Sequence, residues 1–250
     1  MTENALVERI VAEVVARLQT PSPPTAHAGG EIDLASVIDH TLLRPDATPD
    51  EIDRLCDEAA RYGFAAVCVQ PCYAGRAVER LAHRRVAVAS VVGFPHGATL
   101  SVVKRAEADA LLALGVRELD MVLPVGLLKA RQWSAVADDI EAVVNAAHGR
   151  APSPALVKVI IEAGLLSDEE KVIACTIAAE CGADFVKTST GFAGSGATVA
   201  DVALMRQVVG DRLGVKAAGG IRTREQALAL LAAGATRLGT SAGPSLVSPP

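Results

Sequence analysis

Eight short apolar runs alternate with segments of helical periodicity in a chain of 250 residues that is half hydrophobic but only 3% aromatic. Together these features predict a single (β/α)8 barrel of the TIM type, in the α/β class. The length suits one barrel domain. An interior filled with Val, Ile, Leu and Ala suits parallel strands covered on both faces.

The runs fall at 37–39, 65–69, 86–92, 119–123, 156–161, 185–188, 215–217 and 236–239. Amphipathic stretches of helical length lie between them. Thr48, Pro49, Asp50 and Glu51 form a capping box with proline at the first helical position, which starts the helix after strand one. Eight strand-helix repeats allow a parallel sheet to close on itself, and a doubly wound open sheet is the competing topology. Ahead of the repeats, residues 1–18 carry Leu6, Ile10, Val11, Val14, Val15 and Leu18 at three- and four-residue steps, one apolar stripe of a helix. Residues 19–30 are rich in Pro, Ala and Gly and read as a linker. The barrel domain is therefore expected over 31–250.

With 24 basic against 29 acidic residues, the net charge is -5. No basic run tracks a phosphate backbone, so nucleic acid is not an expected partner. No apolar run reaches the roughly 20 residues that span a bilayer, and Glu3, Glu8 and Glu13 stand where an export signal carries positive charge. The expected compartment is the cytoplasm, with all five cysteines reduced.

Barrel chemistry sits where strands end and loops begin. Asp39 is expected to close strand one, Asp120 lies in strand four, Lys158 and Glu162 flank strand five, Lys187 ends strand six and Lys216 sits in strand seven. A buried ammonium without a partner is costly. Two lysines and an aspartate at one barrel mouth have a specific use: a lysine attacks a carbonyl only as the neutral amine, and a neighbouring ammonium favours that form. For any one of these lysines, a structural ion pair is the alternative. Gly191, Gly219, Gly220 and Gly239, with Ser241, let backbone N–H groups approach an anion closely, which points to a phosphorylated substrate. Plain turns are the alternative for each glycine. The stretch 191–198 lacks the Gly-Lys-Ser/Thr ending of a nucleotide loop and the third glycine of a dinucleotide fingerprint. Cys68 and Cys72 lack partners for a four-ligand zinc set. His40 and His96 are expected to be hydrogen-bonded structural residues.

In order along the chain stand IDHTLLRPDAT, AAVCVQP, VVGFPHGAT, ELDMVLPVG, LVKVIIEAGLL, DFVKTSTGF, VKAAGGIRT and RLGTSAG. From about residue 32 to 247 this set resembles the deoxyribose-phosphate aldolases, class I aldolases of the deoC type. The resemblance implies reversible cleavage of 2-deoxy-D-ribose 5-phosphate to acetaldehyde and D-glyceraldehyde 3-phosphate, with no metal or other cofactor. It makes Lys187 the Schiff-base lysine, Lys216 the lysine that depresses its pKa, and Asp120 the carboxylate of a proton relay. Asp39 and Thr41 would position sugar hydroxyls. Thr188, Gly191, Gly219, Gly220, Gly239 and Ser241 would hold the phosphate, and Cys68 would stand near the pocket as a packed thiol. Relatives of this kind form dimers or tetramers. Two departures matter: Phe192 stands where some relatives carry a lysine, and the sequence closes Ser248-Pro249-Pro250 where some end in a tyrosine that reaches the site, so turnover is expected to be lower. Another phosphate-binding Schiff-base barrel aldolase or a transaldolase, or a barrel kept as a silent scaffold, are the competing functions.

The amphipathic head with its linker resembles the encapsulation peptides that attach enzymes to bacterial microcompartment shells. A shell protein is therefore an expected partner of residues 1–18, by insertion of the apolar stripe into a groove. Packing of that stripe on the barrel, or self-association, is the alternative.

Overall fold

The computed structural model describes residues 33–149 and 154–248; the expected head helix and linker lie outside the described residues. Eight strands form a closed parallel barrel in sequence order, with β1 paired to β8. They are β1 Ile38–Leu42, β2 Ala66–Val69, β3 Ala87–Val92, β4 Glu118–Val122, β5 Leu156–Ile160, β6 Phe185–Lys187, β7 Gly214–Ala218 and β8 Arg237–Thr240. Closure rules out the open-sheet alternative. Each expected run overlaps a strand, but β1 extends well beyond its expected end: Asp39 is its second residue, and the strand continues to Leu42. The polar side chain of Asp39 marks an inward-facing position within the strand, not the strand's end. Lys158 is likewise the third residue of β5 rather than a flanking one.

The outer layer includes helices α1 Pro49–Tyr62, α2 Ala74–Arg80, α3 Ser101–Ala113, α4 Val125–Lys129, α5 Trp133–His148, α6 Asp168–Glu180, α7 Val199–Val209, α8 Arg224–Ala232 and α9 Gly243–Val247. The capping box at α1 forms as expected: the Thr48 N–H donates to the Glu51 carboxylate at 2.8 Å. Side chains that alternate outward from the strands pack against these helices in one continuous apolar core, including Ile38, Leu119, Met121, Val157, Val159, Val186, Val215 and Leu238. Full burial of each aliphatic side chain of this kind contributes roughly 1.5–3 kcal/mol.

The inward set has two characters. A small apolar wall comes from Leu43, Ala66, Cys68, Ala89 and Val91. Opposite it, strand parity brings Asp39, Glu118, Asp120, Lys158, Lys187, Lys216 and Arg237 into the lumen, and register places Asp120 beside Lys158, Lys187 beside Lys216, and Lys216 beside Arg237. Alanines on one side leave the volume that these long charged side chains fill. Gly239 serves the same end, since a Cβ there would stand 3.1 Å from the Lys216 Cε.

Candidate active site

Asp120 is the hub. It is fully buried, and its Oδ2 accepts from the Lys187 and Lys216 ammonium groups at 2.7 Å each, while Oδ1 accepts from Lys158 at 2.9 Å. Burial alone raises a carboxyl pKa, but the ammonium groups of Lys158, Lys187 and Lys216 overturn that and hold Asp120 well below the usual carboxylate range. Lys216 also donates to Asp39, and its own pKa is raised: burial opposes the charged form, and Asp120 and Asp39 outweigh it. Lys158 is raised against burial chiefly by Asp120. Two of the three lysines are thus held as ammonium ions by carboxylates.

Lys187 differs in position. It is 2% exposed, yet it lines a cavity of about 280 Å³ at the C-terminal mouth of the barrel. Among the other lining residues are Thr41, Gly191, Gly219, Gly220, Gly239 and Ser241, so most of the residues expected to contact substrate do surround one space with the lysine. Gly219 has φ +91 and Gly220 φ +76, left-handed values that glycine adopts without strain and that turn the backbone after β7 toward the cavity.

Three expected binding residues are not on that surface. Asp39 lies beneath it, its carboxylate taken by Lys216 and by Arg237 at 2.7 Å. The Thr188 hydroxyl donates to the Ala218 carbonyl at 3.1 Å and accepts from the Ala218 N–H at 3.0 Å, locking β6 to β7. Cys68 sits behind Asp120, its thiol 3.9 Å from Oδ2, and burial with that nearby carboxylate pushes the thiol up to about 11, which keeps it protonated. His40 is structural as expected, its ring 2.7 Å from Glu58.

The site has further contributors. Arg44 and Arg222 line the cavity, Arg44 with its guanidinium paired to Asp46 at 2.8 Å and to Glu51, and Phe192 on the same wall carries no charge. Phe192 instead meets Phe94 edge-on, ring centroids 5.3 Å apart, forming an apolar lip. Glu162, at φ 53 just past β5, is buried and accepts from the Thr190 N–H at 3.2 Å and from the Thr190 hydroxyl, which braces the loop leading to Gly191. Glu118 and Arg237, not among the residues expected from sequence, enter the lumen from the N-terminal ends of β4 and β8. A glutamate two residues before Asp120 and an arginine two before Gly239 share the inward face by strand parity, and that was the available signal.

A parallel barrel with an amine held on a buried carboxylate beside an anion-sized glycine pocket defines a barrel enzyme suited to carbonyl chemistry on small anionic substrates. Residues 34–245 match the model of the DeoC/LacD family aldolases. The chain belongs to that family. It is 56% identical over 218 residues to the deoxyribose-phosphate aldolase of Thermococcus gammatolerans, covering 86% of this chain and 96% of that one. Its identity to deoxyribose-phosphate aldolase 1 of Bacillus licheniformis is 53% over 214 residues, covering 86% and 94%. The tetrameric deoxyribose phosphate aldolase of Aeropyrum pernix superposes with a TM-score of 0.80 at 33% identity, covering 96% of this chain and 95% of that chain.

Proposed function

We propose that the protein cleaves 2-deoxy-D-ribose 5-phosphate reversibly to acetaldehyde and D-glyceraldehyde 3-phosphate through a Schiff base on Lys187. The observation that carries this reading is the single amine on the wall of the glycine-lined cavity, backed by Asp120. Neutral Lys187 adds to the C1 aldehyde, and loss of water leaves an iminium. As the C3 hydroxyl loses its proton, the C2–C3 bond breaks and its electrons flow into the iminium, giving an enamine and glyceraldehyde 3-phosphate. Protonation of the enamine at C2 and hydrolysis release acetaldehyde and the free lysine. Asp120, held far below its usual range, keeps protons poorly; it passes them between lysine and water and orients the amine. The glycine N–H groups and Arg222 hold the phosphate, and Thr41 meets a sugar hydroxyl.

Incubation with 2-deoxy-D-ribose 5-phosphate should release acetaldehyde, and borohydride in the presence of acetaldehyde should add mass at Lys187 alone. A transaldolase would release no acetaldehyde, and a silent scaffold would form no adduct. Either result would remove this reading.

We further propose that residues 1–18, joined through 19–30, dock the enzyme on a microcompartment shell protein, on the strength of the apolar stripe. Deleting residues 1–30 should leave kcat/KM within about twofold, since the cavity is lined by residues between Thr41 and Ser241, and should abolish co-sedimentation with shells. Lost aldolase activity would instead assign this segment to the catalytic domain.

A further inference from the structure

Beneath the cavity the charged side chains close a circle. Asp39 accepts from Lys216; Lys216 donates to Asp120 at 2.7 Å; Asp120 accepts from Lys158 at 2.9 Å; Lys158 donates to Glu118. Glu118 lies 3.3 Å from Arg237, and Arg237 donates to Asp39 at 2.7 Å, completing the circuit. Six side chains from five strands thus alternate in sign around the lumen. Three cations meet three carboxylates, so the ring is neutral. Lys187 hangs outside it, on an Asp120 oxygen that Lys216 already occupies.

We propose that Glu118 and Arg237 are positioning residues that set the ionisation of Lys187 from the far side of the ring, by keeping its charge balanced so that a proton on Lys187 is one cation beyond the three carboxylates, sharing an Asp120 oxygen with Lys216. A buried charge without a counter-ion is released more readily than a paired one. Lys187 therefore shares Asp120 with Lys216 and has no carboxylate of its own, whereas Lys158 and Lys216 each bridge two. Lys187 meets Asp120 of β4 at 2.7 Å and stands beside Lys216 of β7; Lys158 from β5, Glu118 from β4, Asp39 from β1, Arg237 from β8 and the thiol of Cys68 from β2 lie beneath, Arg44 and Arg222 line the cavity with it, and β3, with sequence AVASVV, adds no titratable group. Glu162, in the loop after β5, has its carboxylate taken by Thr190. Phe185 seals the lower side, with the Arg237 guanidinium 5.6 Å and the Lys158 ammonium 6.0 Å from its ring centroid.

Balance predicts shifts of opposite sign. Arg237→Met leaves the ring one charge negative, so Lys187 keeps its proton longer and its ionisation moves up. Glu118→Gln leaves the ring one charge positive, and the ionisation moves down. Each shift should be roughly 0.5–1 pH unit, smaller than for a charge in direct contact. The readout is the pH dependence of arylation of Lys187 by fluorodinitrobenzene in the full-length enzyme, located by peptide mass. Arg237→Lys should keep the wild-type midpoint, and the double variant Glu118→Gln/Arg237→Met, which removes one charge of each sign, should return to it. The acid limb of kcat/KM should follow the same order. Shifts of the same sign in both single variants, or no shift in either, would overturn the proposal, and if Arg237→Met fails to fold, Glu118→Gln and the double variant still decide it. The inference rests on Lys187 as the nucleophile of the proposed aldolase, but the two fail separately: a missing borohydride adduct in the wild type removes that reading, whereas a normal adduct with unmoved midpoints removes only the ring.

Discussion

Lys187→Ala is expected to lower kcat/KM by on the order of 10⁴-fold or more, the scale seen when a nucleophile that works as part of a unit is removed, and to abolish the borohydride adduct. The fold should survive. Asp120 keeps Lys216 at 2.7 Å and Lys158 at 2.9 Å, so no carboxylate is left unpaired. The ammonium that disappears is the one with no carboxylate oxygen of its own. Relief of that surplus charge offsets the packing lost with the lysine stem, and the melting temperature should stay within a few degrees of the wild type. Lys187→Arg separates charge from chemistry: it keeps a cation on Asp120 but offers no neutral amine at any accessible pH, and it should be as inactive as the alanine variant. Activity within tenfold of wild type in either variant would place the nucleophile elsewhere.

The barrel was legible because its strands are short apolar runs with helical patterns between them, and because ionisable residues within such runs have few harmless explanations. Lys187, Lys216 and Asp120 stood out on that ground, and the structure joins them through one carboxylate oxygen. Depth in the lumen was not legible. Asp39 and Thr41 share the inward face of β1, but only Thr41 lines the cavity, because the Asp39 carboxylate is drawn to Lys216 and Arg237. Thr188 is adjacent to Lys187 and therefore points to the other face, where its hydroxyl meets β7 backbone. Glu118 and Arg237 lie at strand starts, where a charged residue ordinarily marks a solvated edge. Only the closed register across β4, β5, β7 and β8 shows that both reach the same ring.

Asp120→Asn should be the variant that damages stability and activity together. The amide keeps the shape of the carboxylate but leaves the Lys158, Lys187 and Lys216 ammonium groups without their shared anion in a buried lumen. Breaking a buried pair in this way costs about 3–5 kcal/mol, which for a domain of this size corresponds to a fall of roughly 10 °C in melting temperature. The acid limb of stability should flatten as well. Asp120 and Asp39 have pKa values lowered in the folded state, so each contributes stability that is present above the ordinary aspartate value of about 3.9 and is lost as pH falls below it. With Asp120 gone, only the Asp39 share of that loss remains. A second substitution sorts electrostatics from chemistry. Adding Lys158→Met to Asp120→Asn leaves Lys216 and Arg237 against Asp39 and Glu118, again balanced, so the melting temperature should recover most of the difference. Catalysis should not recover, because the group that orients Lys187 and passes its proton is still missing. Recovery of both would reduce Asp120 to a structural counter-ion, and recovery of neither would mean that the three lysines are not held by this carboxylate.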